Sequence, residues 1–291
     1  MERMTKRISL AIFILLSFLA LIFLTSSPQR TFEDELSEYI KKGELIVFDS
    51  NFYEEEKSDI AYRWLSRNAT ITLVIPYDQT VKLEFILWSY NIPRNTKVYL
   101  NYYLLTELNL TKNRTSYTSP FVYLKRGLYK LKFLFSGDCE VPALRENTED
   151  TRCLGIAVGN FKKIETSNLA PYIDSPGWYE LESYYGKDLR WTKDKSIIKF
   201  INLEEGEFLL NFFAFSLYSN KLLKIYVDSN LVYRANIPPN GMEVKAKMSL
   251  DSGLHSITLN TSCSYPSKLG ISTEDRCLGI AVVNPIISHS E

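Results

Sequence analysis

Arg152-Cys-Leu-Gly-Ile-Ala-Val-Gly-Asn160 and Arg276-Cys-Leu-Gly-Ile-Ala-Val-Val-Asn284 are one string written twice, differing at a single position. In each copy the cysteine closes a pair that opens Cys-x-x-Pro: Cys139 with Cys153, and Cys263 with Cys277. These four are all the cysteines of the chain, so both pairs belong to a duplicated unit. Working back from the string, Gly127-Leu-Tyr-Lys-Leu-Lys-Phe133 matches Gly253-Leu-His-Ser-Ile-Thr-Leu259, and Lys97-Val-Tyr-Leu100 matches Lys224-Ile-Tyr-Val227. Further upstream, Arg63-Trp64 matches Arg190-Trp191, and Asp49 with its acidic run matches Asp174 and the residues after it. The offset stays between 124 and 127 residues. Chance matches would not hold that offset; a fixed period marks an internal repeat. In a chain of 291 residues, two units of about 115 to 125 residues suit the usual domain size.

Within the copies the apolar residues follow a strand pattern. Ala69-Thr-Ile-Thr-Leu-Val-Ile75, Val81-Lys-Leu-Glu-Phe-Ile-Leu87, Tyr129-Lys-Leu-Lys-Phe-Leu-Phe135 and Leu222-Leu-Lys-Ile-Tyr-Val227 alternate or run apolar and are rich in β-branched and aromatic types. Turn signals such as Asn91-Ile-Pro-Arg-Asn95 and Pro238-Pro-Asn-Gly241 separate them. Many short strands without a helical period between them predict an all-β chain of two tandem antiparallel β-sandwich domains. A jelly roll, two packed sheets of about eight strands, is the expected topology. The expected organisation is a stub and apolar segment over 1–30, a short helix over 31–43, sandwiches over 44–162 and 172–291, and a linker over 163–171. Thr31 caps that helix, acids lie in its first turn, and Gly43 ends it. Its Phe32, Leu36, Tyr39, Ile40 stripe suits a spacer or a docking helix.

Arg3, Lys6 and Arg7 precede an uninterrupted apolar run from Ile8 to Leu24, long enough for about 26 Å of helix. This predicts a transmembrane anchor inserted in the lipid bilayer through residues 8–24, with a cytoplasmic amino end and the bulk of the chain outside. A cleaved secretory signal is the alternative, leaving a secreted protein, although Thr25 and Ser27 are followed at once by Pro28. The cysteines agree with export, because paired cysteines in a translocated chain usually form disulfides. A loop of about 15 residues closed this way stabilises the fold by about 3 kcal/mol. Zinc is a poor alternative: the spacing lacks a close knuckle, and His255 and His289 are the only histidines. No cofactor is implied. Sequons at Asn68, Asn109, Asn113 and Asn260 are candidate N-glycosylation sites outside the cell.

Lysine plus arginine equal aspartate plus glutamate at 34 each, so nothing predicts a nucleic-acid partner. Nineteen tyrosines suit surfaces that meet sugars or proteins, and equally the core and edges of a sandwich. The combination Gly177-Trp-Tyr-Glu-Leu-Glu182, Arg190-Trp-Thr192 and Asp275-Arg-Cys-Leu-Gly-Ile280 resembles sandwich domains appended to prokaryotic cell-surface glycosyltransferases and polysaccharide-associated proteins. Copy one departs from it, with Asn51-Phe52-Tyr53 for the first motif and Leu65 in place of threonine. The resemblance implies a non-catalytic, glycan-associated module and transfers no catalytic residue.

The candidate binding rim consists of Glu56 and Arg63 in copy one, and Glu182, Arg190, Trp178 and Tyr179 in copy two. Each arginine, paired with its glutamate, would grip a sugar or an acidic group, since a planar guanidinium suits bidentate contacts. The plainer reading is an ion pair that both copies need in order to fold. Carboxylates two apart on a strand, Glu54 with Glu56 or Glu180 with Glu182, would share a face, as a glycosidase requires. Nothing distinguishes them from ordinary ion-pair partners, and no nucleophile elbow, phosphate loop or His-Glu-x-x-His string is present. The expected function is therefore non-catalytic. Its partner is a cell-surface glycan, or a membrane or surface-layer protein for which the chain is a structural or assembly subunit.

Overall fold

The computed structural model describes residues 31–146 and 148–290. They fall into two compact units, one ending at Glu44 and one spanning Leu45–Glu291. The described part of the first is the helix α1 (Phe32–Lys42). Thr31 and Asp34 form a reciprocal capping box at its start, and Gly43 closes it with φ 71°. The span expected over Ile8–Leu24 lies outside the described residues. Among the described residues no helix is long and apolar enough to cross a membrane. That finding overturns the expected location as a single-pass membrane protein with a cytoplasmic amino end. Helix α1, with eleven residues, reaches only about 16 Å, half a hydrocarbon core.

The second unit is all β. The first repeat holds β1 (Ile46–Phe48), β2 (Glu56–Lys57), β3 (Ala61–Leu65), β4 (Ala69–Ile75), β5 (Gln79–Ser89), β6 (Arg94–Leu100), β7 (Tyr103–Leu110), β8 (Thr115–Thr118), β9 (Phe121–Leu124), β10 (Gly127–Phe135) and β11 (Ile156–Glu165). The second holds β12 (Trp178–Tyr184), β13 (Lys187–Thr192), β14 (Lys195–Asn202), β15 (Gly206–Ser216), β16 (Lys221–Val227), β17 (Asn230–Ile237), β18 (Met242–Leu250), β19 (Gly253–Asn260) and β20 (Ile280–His289). Counted from β13 as first to β20 as eighth, the second repeat's sheets read 1-8-3-6 and 2-7-4-5, the wrapped order of a jelly roll. The first repeat follows the same scheme, with β1 added beside β4 and β2 beside β3.

The repeats share a sheet. β17-β16-β19-β14 of the second continue into β9-β5-β11-β3-β2 of the first, through a parallel pairing of Phe200, Ile201 and Asn202 with Phe121, Val122 and Tyr123. The cause is local. In the second repeat β18 runs unbroken along β15, from Gly206–Leu250 to Ala214–Met242. Its counterpart in the first repeat is split by Pro120, which has no N–H for the ladder, into β8 beside Glu84–Leu87 and β9 beside Gln79–Val81. Ser119 bridges the gap, its N–H donating to the Leu83 carbonyl and its Oγ accepting from the Leu83 N–H, both at 2.9 Å. The cores interlock accordingly: Phe121 and Tyr123 pack in that of the second repeat, and Ile201 in that of the first.

The duplicated string supplies the core of β11 and β20, each an interior strand of its sheet. Ile156 and Ile280 are fully buried. Each copy ends in an asparagine with left-handed backbone, Asn160 at φ 49° and Asn284 at φ 46°, which a short polar side chain tolerates better than a branched one. There the pairing with β5 or β15 is interrupted by a bulge. Both disulfides, Cys139–Cys153 and Cys263–Cys277, are formed.

Candidate functional site

The string's arginine, and not Arg63 or Arg190, ties each repeat's polar knot. In the first repeat Arg152 binds Glu56 at 2.5 Å and Asp150 at 2.8 Å, with its guanidinium 5.4 Å from the Tyr53 ring centre. In the second, Arg276 binds Glu182 and Glu274, both at 2.8 Å, and lies 5.1 Å from the Tyr179 ring centre. The two tyrosine hydroxyls reach the disulfides: Tyr53 accepts from the Cys153 N–H at 3.1 Å, and Tyr179 donates to the Cys277 carbonyl at 3.3 Å. The bonds from the arginines hold Asp150 below its usual range and lower Glu274 to about 2; the same bonds raise both arginines. Every charge in these knots is answered within the chain.

Arg63 and Arg190 have a different task. Each donates from Nη1 to a main-chain carbonyl, Tyr53 at 3.1 Å and Tyr179 at 3.0 Å. The rim imagined around Glu56–Arg63 and Glu182–Arg190 is thus divided between two arginines per repeat. Trp178 is half-buried against the second core and donates from Nε1 to the Ile197 carbonyl at 2.8 Å. Another matched cation escaped the sequence reading. Buried Lys221 donates to the Ser262 and Leu278 carbonyls and to Ser264 Oγ, each at 3.0 Å. Its counterpart Arg94 donates to the Ser136 and Asp138 carbonyls. Each cation braces the chain around a disulfide, and burial lowers both pKa values. All four sequon asparagines are exposed. Among the described residues no group of three or more histidine, cysteine, aspartate or glutamate side chains is placed to hold a metal ion.

A further set of polar and aromatic groups gathers where the repeats meet. A cleft of about 540 Å³ opens between the β4–β5 turn, the end of β11 and the end of β20. Tyr77 forms its exposed wall, 57% accessible, and its hydroxyl donates to Glu165 Oε2 at 2.7 Å. Glu165 also accepts from Lys163 at 2.8 Å, which with the tyrosine bond keeps the carboxyl below its usual range. Tyr123 donates to Asp78 Oδ2 at 2.8 Å and stacks on His289, ring centres 6.0 Å apart at 17°. Burial, and then the Asp78 bond, raise the Tyr123 phenol, so the hydroxyl stays protonated as a donor. Thr80 Oγ1 donates across the repeats to the Ile287 carbonyl at 3.1 Å. Gln79 also lines the cleft; it is 8% exposed, and its Oε1 is buried without a hydrogen-bond partner.

None of these residues belonged to the expected rim. Tyr77 and Asp78 lie in an ordinary turn, Gln79 begins β5, and His289, read as a bystander in the tail, ends the last strand. The pairing of β5 with β9 and β11, and of β9 with β14, brings them together, and no local motif encodes those pairings.

No family model matches the chain, and no curated protein matches it. Solved structures with some likeness include the tandem CBM22-1-CBM22-2 domain of Paenibacillus barcinonensis Xyn10C, 9% identical over 84% of this chain and 93% of that one, TM-score 0.28. The C-terminal CBM6 of LamC from Zobellia galactanivorans is 14% identical over 41% and 94%, TM-score 0.28. The ANX1 ectodomain of Arabidopsis thaliana is 11% identical over 84% and 90%, TM-score 0.31. At such scores the likeness does not reach to ligand or function.

Proposed function

We propose that the chain is a non-catalytic, extracytoplasmic glycan-binding protein whose two joined sandwiches hold a carbohydrate in the cleft between them. The observation that carries this reading is Gln79: an amide oxygen buried at a cleft wall with no partner of its own. Leaving such an acceptor unpaired costs about 1–3 kcal/mol, a cost that a ligand hydroxyl would remove once the amide turns its oxygen into the cleft. Around it stand an exposed aromatic face, Tyr77, and the carboxylates of Glu165 and Asp78, each already oriented by a tyrosine hydroxyl. Flat apolar faces beside fixed acceptors suit a neutral polyhydroxylated ring, apolar on its C–H side and donating at its rim. Among the described residues no lysine or arginine lines the cleft, and neighbouring Lys163 is paired with Glu165, so phosphate and nucleic acid find no free counter-charge there. The two disulfides fit an oxidising compartment.

The test is binding of the oxidised, folded protein to a glycan array and to polysaccharide columns, repeated with Tyr77→Ala. Tyr77 lies on the surface, so its truncation leaves the melting curve in place. Losing the aromatic platform and its hydrogen bond weakens retention about tenfold or more. A folded protein that no glycan or polysaccharide retains ends this reading.

A further inference from the structure

We infer that the first repeat carries, beside Arg63, a docking notch for a short polypeptide segment of a partner protein. The notch is the counterpart of the place that the chain's own linker fills in the second repeat. The two sites share one frame: Arg63 pairs with Val158 across β3 and β11, and Arg190 with Val282 across β13 and β20. In the second repeat the linker's Leu169 and Ala170 are almost wholly buried. The Leu169 N–H donates to the Pro285 carbonyl at 2.8 Å, Arg190 Nε donates to the Ala170 carbonyl at 2.6 Å, and Asn168 Nδ2 donates to Asp188 at 3.1 Å.

In the first repeat the equivalent stretch pairs instead as β1 with β4, leaving Ile46 and Phe48 at the margin, and among the described residues nothing bonds Arg63 Nε as Ala170 bonds Arg190. A notch of about 230 Å³ remains there, lined by Ala61, Tyr62, Arg63, Val158 and Phe161 among others. Arg63 makes the same Nη1 bond as Arg190, but its Nε is buried without a partner. Phe161 occupies the position of Pro285, in the same bulge after the string's asparagine. Phe48 lies beneath the guanidinium, 4.8 Å from ring centre to Cζ, and keeps the arginine in place. The duplication therefore specifies the ligand. It is a turn of main chain that offers a carbonyl to Arg63 Nε and an N–H to the Phe161 carbonyl, with small or medium aliphatic side chains to fill the notch as Leu169 and Ala170 do. Glu55 at the margin disfavours an acidic flank.

The probe is the linker itself, a peptide of residues 166–173 with blocked ends, titrated into the full oxidised chain and followed by amide chemical shifts. Expected is saturable binding, with shifts at Ala61, Arg63 and Phe161 and none at the counterpart Asp188, where the tethered linker competes at high effective concentration. Ala61→Phe fills the notch and abolishes binding. Arg63→Lys keeps the cation but lacks Nε and weakens binding about tenfold. Tyr77→Ala, in the glycan cleft, leaves the peptide affinity unchanged, so the two readings stand or fall separately. Lack of saturation at millimolar peptide, or equal binding by the Ala61→Phe protein, overturns the inference. So does a notch closed by a second copy, seen as a dimer in sedimentation that Ala61→Phe dissociates.

Discussion

Replacing Gly279 by alanine should damage the fold far more than replacing its identical counterpart Gly155. A Cβ at Gly279 would lie 2.3 Å from Thr192 Oγ1, 2.6 Å from the Lys193 carbonyl oxygen and 2.8 Å from Thr261. The first two cannot yield. Thr192 is fully buried, and its hydroxyl is held between the Ile280 N–H at 2.9 Å and the Ile280 carbonyl at 3.2 Å; the Lys193 oxygen is backbone. Overpacking of about 1–3 kcal/mol adds to a lost buried hydrogen bond of about 1–3 kcal/mol, giving about 4 kcal/mol. At Gly155 the close atoms are the far edge of the Phe135 ring, at 2.3 and 2.7 Å, and the Leu65 carbonyl only at 3.0 Å. Phe135 is half-buried and can swing aside, so the overpacking cost alone applies, about 2 kcal/mol. With roughly 2–4 °C lost per kcal/mol in a unit of this size, calorimetry should show melting falls of about 8–16 °C for Gly279→Ala and about half that for Gly155→Ala. Equal falls, or a larger one for Gly155→Ala, would refute the claim that the string's glycines are set by what each repeat packs against them.

Acid should loosen the second knot in a defined window. Glu274 has its pKa lowered from 4.5 to about 2 by Arg276, so the unfolded chain takes up the proton first. Its contribution is complete above about pH 4.5 and fades as the pH falls towards 2; urea midpoints for wild type and Glu274→Gln should differ at pH 6 and converge at pH 2. Removing one bridge with Cys263→Ala and Cys277→Ala together should cost about 3 kcal/mol in urea unfolding. Lys221→Met leaves the Ser262 and Leu278 carbonyls without their donor and should cost about 1–3 kcal/mol. Lys221→Arg, which copies Arg94 in the first repeat, should recover most of that loss.

What the sequence makes legible is what is written locally or written twice. Strand alternation, the cysteine spacing and the repeated string are short-range signals, and all-β sheets with both bridges follow from them. The pairing partners within the polar knots were not legible. Glu56 lies closer in sequence to Arg63 than to Arg152, and only the wrap that brings β11 beside β3 makes Arg152 the nearer cation. The cleft was least legible of all. It depends on Pro120 splitting one strand so that β9 pairs in parallel with β14, a contact between segments some eighty residues apart that leaves no periodic trace. Gln79, in turn, looks like any polar residue at the start of a strand until its surroundings close over it.

The account rests most heavily on that cleft, and mapping a bound oligosaccharide tests it most directly. With the strongest ligand from the glycan array titrated into the labelled protein, amide and side-chain shifts should centre on Tyr77, Gln79, Tyr123 and His289, and Gln79→Leu should abolish them while the fold persists. Shifts confined to the outer sheet faces or to the knots at Arg152 and Arg276, with the cleft silent, would contradict it.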